Sequence, residues 1–172
     1  MTGALDYVWM DTPVGRLLVA ADEAGLRYVL FGEGRSSVGP QPGWHEDATR
    51  LAQAVRQLHA YFAGGLRRFE LPLAPEGTPF QRRVWQELLN IPYGETISYG
   101  ELARRIGKPT GSRAVGLANG ANPISIVIPC HRVIGSTGKL TGYGGGLKNK
   151  EWLLALEHRT RIENGELSPS SV

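Results

Sequence analysis

Apolar and polar positions alternate along three short stretches at the start of the chain. Asp6 to Met10, Gly15 to Ala21 and Leu26 to Phe31 are rich in aliphatic and aromatic residues, and the turn-forming runs Asp11-Thr12-Pro13 and Asp22-Glu23-Ala24-Gly25 separate them. This pattern predicts a small antiparallel sheet. Residues 32–43, rich in Gly, Ser and Pro, read as a loop. From about Glu46 the period changes: Leu51, Val55, Leu58 and Phe62 recur at helical spacing and Gly64-Gly65 ends the helix. Leu71 to Gly77 reads as a connector, with a domain boundary at residue 77.

Beyond it the pattern is mostly helical. Thr78, Pro79 and Gln81 supply an N-cap, a first-turn proline and a capping box for a helix whose apolar face is Phe80, Val84, Trp85, Leu88 and Leu89. Ser98 and Glu101 form a second box ahead of a short helix through Ile106, which Gly107 and Pro109 break. Ser112 is then expected to cap a helix over Arg113 to Asn119, ended by Gly120. Two short helices around a tight turn make a helix-turn-helix candidate. Residues 126–133 form an apolar, strand-like run that should stop at Pro129, which has no ladder donor. A glycine-heavy loop from Gly135 to Gly146 follows, then an amphipathic helix from Leu147 to about His158 with Trp152, Leu153 and Leu156 facing in. Residues 160–172 are polar and are expected to fray. The fold class is α+β: a sheet-and-helix domain over 1–77, a mostly helical, winged-helix-like domain over 78–159, and a flexible tail over 160–172.

Composition adds two constraints. With 41% apolar residues, 172 residues suffice for a core. A single cysteine forbids an internal disulfide and any cysteine metal cluster, and with neither a signal peptide nor a membrane span in evidence a reducing cytoplasm is expected. His45 and His59 have no partner at metal-ligand spacing, so no metal is expected. The net charge is only +3, but it is unevenly spread. Residues 1–78 hold seven arginines against nine acidic residues, whereas residues 91–160 hold nine basic residues against four acidic ones. The basic half also contains Cys130, which points to a polyanion near the thiol.

Cys130 is the candidate nucleophile. A thiol needs thiolate character to react; His131, Arg132 or a helix terminus could supply it, whereas apolar burial would raise its pKa and leave it inert. In an extended chain Cys130 and His131 would point to opposite faces, so they cooperate only if the chain turns there or a water bridges them.

Five groups of residues now carry a resemblance. Pro129-Cys130-His131-Arg132-Val133, preceded by Arg113-Ala114-Val115-Gly116 and Asn122-Pro123, and followed by residues 142–146 (Gly-Tyr-Gly-Gly-Gly) and 150–154 (Lys-Glu-Trp-Leu-Leu), closely resemble the O6-alkylguanine-DNA alkyltransferases, also called methylated-DNA-protein-cysteine methyltransferases. The match runs from about Thr78 to Glu157; the N-terminal part resembles the family's variable small domain more loosely.

The resemblance implies single-turnover transfer of an alkyl group from O6 of guanine, less readily O4 of thymine, onto Cys130. It implies that His131 draws the thiol proton through a water, that Glu157 orients the imidazole, that Tyr99 donates to guanine N3 and that Asn122 shapes the turn beneath the site. It implies that the target nucleotide leaves the stack, with Arg113 filling the gap and the small residues Ala114, Gly116, Ala118 and Gly120 letting the second short helix enter the minor groove; Asn119 on that helix and the basic Arg104 and Arg105 before it are also expected to meet DNA. Val133, Tyr143 and Gly144 would line the alkyl pocket. Double-stranded DNA carrying alkylated guanine is the implied partner. No cofactor is expected, and the chain is expected to be monomeric in solution, with cooperative assembly on DNA left open. Some relatives carry a zinc site built on two N-terminal cysteines, which this chain lacks, and some carry a serine where it has Gly144. A roomier or more mobile loop wall that tolerates larger alkyl groups is therefore expected.

Two other readings use the same residues. A cysteine hydrolase also needs a Cys-His pair, but it requires an oxyanion hole and leaves Arg113 without a role. A DNA-binding module without chemistry explains the basic half and makes Cys130 incidental.

Overall fold

In the computed structural model, which describes residues 3–32 and 39–168, the three N-terminal strands pair as expected. β1 (Asp6–Thr12), β2 (Gly15–Asp22) and β3 (Gly25–Phe31) form two antiparallel pairs, with Tyr7 opposite Ala20 and Leu18 opposite Leu30. Alternation sends Met10, Leu17, Val19 and Val29 to the face that joins the main core. A two-residue strand, β4 (His45–Glu46), adds parallel to β1 and completes the order β3-β2-β1-β4. It is too short to show any period in sequence. Half of the loop expected over 32–43, residues 33–38, lies outside the described residues. Helix α1 (Ala48–Phe62) starts at an Asp47 cap, whose carboxylate accepts from Thr49 N at 2.9 Å. Its fully buried residues are Leu51, Ala54, Leu58 and Tyr61, and the expected Val55 and Phe62 pack half-buried against the same core.

The connector is not free. Leu26 N donates to Pro72 O at 2.8 Å and Ala74 N to Leu26 O at 2.9 Å, so the segment lies along β3. The same strand also binds the segment that precedes the cysteine: Val29 N donates to Pro123 O at 3.0 Å and Ser125 N to Val29 O at 3.1 Å. Apolar residues from both halves, among them Val29, Leu58, Val84, Ile124 and Leu153, form one continuous core.

The helical half follows its capping signals in part. Helix α2 (Pro79–Leu88) has the full capping box, Gln81 N to Thr78 Oγ1 at 3.1 Å and Thr78 N to Gln81 Oε1 at 2.9 Å. Strand β5 (Ile97–Ser98) leads into α3 (Tyr99–Arg105), where Ser98 caps Glu101 N at 3.0 Å. The Glu101 carboxylate binds Arg104 at 2.7 Å and Arg105 at 3.1 Å instead of returning to the cap. Helix α4 (Ser112–Gly120) packs against α3 as the second member of the predicted pair, but Ser112 lies within the helix and Gly111 stands at the cap with no side-chain bond.

Two further expectations fail. Residues 126–129 are not a strand: Ile126 has φ +72°, a conformation costly for a β-branched residue, and a single 3-10 turn, Cys130–Arg132, follows. Asn122 draws the chain back on itself, donating to Ile128 O at 2.8 Å and accepting from Ile124 N at 3.0 Å. After the turn, β6 (Val133–Ile134) pairs parallel to β5. Nor does the tail fray at residue 160. Helix α5 (Leu147–Glu163) continues past it; Thr160 is buried, Arg161 donates to Gly94 O at 3.3 Å and Glu166 pairs with Arg67. Residues 169–172 lie outside the described residues. No helix among the described residues is long and apolar enough to cross a membrane.

Candidate active site

The 3-10 turn supplies the change of direction that an extended chain lacks, and places Cys130 and His131 on one bend. Both are buried, Cys130 at 4% exposure. Burial pushes the thiol up to about 11, with Asn122 and the Lys150 charge pulling weakly the other way. Arg132 does not activate it, because its guanidinium is turned to Glu157 (2.8 and 3.0 Å) and to Ile91 O (2.8 Å). The thiol therefore stays protonated at neutral pH and needs a base.

His131 is placed to be that base. Its Nε2 lies 2.7 Å from Glu157 Oε2. Burial would raise the Glu157 pKa, but His131 and Arg132 override it and hold the carboxyl well below the usual carboxylate range. An ionised carboxylate only accepts, so Nε2 carries the proton and Nδ1 presents a lone pair. That Nδ1 is buried without a hydrogen-bond partner among the described residues. Burial, only partly opposed by Glu157, lowers the imidazole pKa and keeps the ring neutral.

A cavity of about 290 Å³ opens above the thiol. Its walls come from β3 (Tyr28, Leu30, Phe31), from the end of α4 and the Asn122 turn, and from Gly142, Tyr143 and Gly144. Asn119 and Tyr143 each line it and leave a buried polar atom unpaired, Asn119 Oδ1 and Tyr143 Oη. Gly145 lies directly against the Phe31 ring, where a Cβ would come within 2.4 Å, whereas a Cβ at Gly144 would meet nothing within 4 Å. Beneath the glycine loop, the Thr141 carbonyl accepts from Tyr99 Oη at 3.2 Å and from Lys150 Nζ at 2.8 Å.

The residues expected to touch DNA divide. Arg113 and Ala114 stand exposed on α4, Gly116 is half-buried over the Tyr99 ring, and Leu117, not anticipated, is 73% exposed beside them. Ala118 and Asn119 are not on that face. Ala118 is buried with its carbonyl bonded to Trp85 Nε1, and Asn119 donates to Cys130 O at 3.3 Å. Helical spacing explains this, since residues 118 and 119 follow buried Val115 by three and four positions. Arg104 and Arg105 are held by Glu101. Val133 is fully buried and does not line the cavity; its carbonyl accepts from Lys150 Nζ at 2.6 Å. No group of three or more His, Cys, Asp or Glu among the described residues is placed to hold a metal.

Sequence reasoning missed Tyr61, which donates to Glu157 Oε2 at 2.6 Å, and the cavity wall contributed by β3. Both belong to the N-terminal half, where the residues look like ordinary core.

Residues 79–159 match the family described as 6-O-methylguanine DNA methyltransferase, DNA binding domain, and residues 5–75 match 6-O-methylguanine DNA methyltransferase, ribonuclease-like domain. A methylated-DNA–protein-cysteine methyltransferase of Methanosarcina acetivorans is 55% identical over 151 residues, covering 88% of this chain and 97% of the relative. One from Mycolicibacterium paratuberculosis is 53% identical over 155 residues, covering 90% and 93%. The crystal structure of Mycobacterium tuberculosis OGT in complex with DNA aligns with a TM-score of 0.84 at 50% identity, covering 90% of this chain and 94% of that one. With both halves matched in order and relatives above half identity across nearly all of it, the chain belongs to the 6-O-methylguanine DNA methyltransferase family.

Proposed function

We propose that this protein repairs double-stranded DNA by moving an alkyl group from O6 of guanine, less readily from O4 of thymine, onto Cys130 in a single turnover. One observation carries the reading: a buried thiol shares a turn with a histidine whose Nε2 is pinned by Glu157 and whose Nδ1 is unpartnered among the described residues, at the floor of an open cavity.

Cys130 Sγ attacks the alkyl carbon, the S–C bond forms and the C–O6 bond breaks. The thiol proton passes through a water to His131 Nδ1, and Glu157 stabilises the imidazolium. The electron pair of the broken bond enters the purine, and Tyr99, released from Thr141, donates to N3 as charge develops. The purine anion is then reprotonated, so thiol and O6-alkylguanine become thioether and guanine. Nothing in the site hydrolyses a thioether, which limits each chain to one event.

The base must leave the stack to reach the cavity, at a cost of a few kcal/mol. Arg113 fills the vacated position, and Ala114 and Gly116 allow α4 to approach the minor groove closely. The unpaired Asn119 Oδ1 and Tyr143 Oη offer the extruded base polar contacts. The division at residue 77, a monomeric chain in solution and action in the cytoplasm belong to the same reading.

The test is the intact and peptide mass after incubation with a duplex carrying one O6-methylguanine. One methyl group on Cys130, with repair stopping at one equivalent, is expected. No adduct, with the thiol reduced and the duplex bound, would leave a DNA-binding module as the better reading.

A further inference from the structure

We propose that Tyr61, on α1 of the N-terminal half, is a positioning residue for the His131 base: its O–H, donated to Glu157 Oε2, holds the carboxylate against the imidazole and keeps the proton on Nε2. The proposal rests on the transfer reaction above only for its rate, since the tautomer can be read without DNA.

Glu157 is completely shielded from solvent and accepts from five donors. Oε1 takes Arg132 Nε and Gly94 N, at 2.8 and 3.1 Å. Oε2 takes Arg132 Nη2 at 3.0 Å, His131 Nε2 at 2.7 Å and Tyr61 Oη at 2.6 Å. Tyr61 thus shares the one oxygen that the base uses. It is itself fully buried. Burial, then the Glu157 charge, push the phenol well above its ordinary range, so it donates at every working pH. A neutral donor on Oε2 does two things. It fixes the carboxylate rotamer, and it withdraws charge from Oε2 so that a proton arriving on the imidazole stays there rather than passing to Glu157. Arg132 and Tyr93 also face the phenol, and Arg132 and Lys150 also face His131, but among these groups only Tyr61 belongs to the N-terminal half.

The test uses the full chain carrying Tyr61→Phe, which keeps the ring and removes the donor. Transfer from the O6-methylguanine duplex is expected to slow about tenfold, the scale of one lost bond to a charged group, with duplex Kd unchanged. The acid limb of the rate profile should move to higher pH, because a less neutralised Glu157 holds the His131 proton more tightly. Nitrogen NMR of the DNA-free protein should show the His131 Nε2–H tautomer in wild type and, in the variant, an Nε2–H proton drawn toward Glu157 Oε2 with a displaced nitrogen signal. An unaltered tautomer signal together with an unmoved acid limb overturns the proposal. Should the wild type transfer nothing, the proposed activity fails while the NMR arm still decides the role of Tyr61. Should Tyr61→Phe not fold, exchange of the Tyr61 hydroxyl proton in the unaltered protein decides instead: protection supports the bond, and free exchange with solvent overturns it.

Discussion

The ammonium of Lys150 donates to the Val133 carbonyl at 2.6 Å although the lysine is fully shielded from solvent. A second bond, to Thr141 O at 2.8 Å, ties the glycine loop to the strand after the reactive turn. Replacing Lys150 by Met keeps the stem and strands both carbonyls. The expected loss is about 2 kcal/mol, read as a lower urea midpoint. An unchanged midpoint would mean that the loop carbonyls find other donors.

The buried thiol makes stability depend on alkaline pH. The unfolded thiol ionises near its ordinary 9.0 and the folded one near 11. Between these values the unfolded chain binds fewer protons, so the contribution of Cys130 is complete below pH 9 and falls as pH rises toward 11, by a few kcal/mol at most. Melting temperatures from pH 8 to 11 should fall more steeply for wild type than for Cys130→Ala. Parallel curves would show that the thiol ionises no later in the folded protein.

Two alanines on α4 should behave oppositely. Ala118→Leu forces bulk into the buried side of α4 and is expected to cost about 1–3 kcal/mol. Ala114→Leu is exposed and should change stability by less than about 0.5 kcal/mol, while weakening duplex binding severalfold by holding the helix off the groove. Melts and binding titrations on the pair separate the two faces. Equal stability losses would place both residues in the core.

Gly144→Ser should fold normally, since a Cβ there meets nothing within 4 Å. It narrows the cavity mouth, so benzyl transfer should slow relative to methyl transfer. Equal rate ratios in wild type and variant would count against a roomier wall at this position. Gly145→Ser is the contrast: its Cβ would overlap the Phe31 ring, and it should lower the melting temperature.

Much of this architecture is legible in the sequence because local rules govern it. Strand alternation over 6–31 and the Thr78 and Ser98 caps each depend on a few adjacent residues, and they form as expected. The candidate site divides along the same line. His131 bonds Glu157 and shares one turn with Cys130, but the apolar run before Cys130 reads as a strand only until the Asn122 side chain, which no periodicity reports, bends it. Tyr61 lies 96 positions from Glu157 and sits on an ordinary apolar helix face, so nothing local marks it as a polar partner. The burial of Ala118 and Asn119 follows from helical spacing, three and four positions after buried Val115.

β3 holds residues 72–74 through Leu26 and residues 123–125 through Val29, so the chain is laced together on both sides of residue 77. A cut in the peptide at Gly77 would therefore leave two fragments clasped by backbone bonds, by the Tyr61–Glu157 bond and by the edge contact of Phe31 with Tyr143. The protein should behave as a split pair that reassembles from separately made pieces. Neither piece alone would contain a complete reaction chamber.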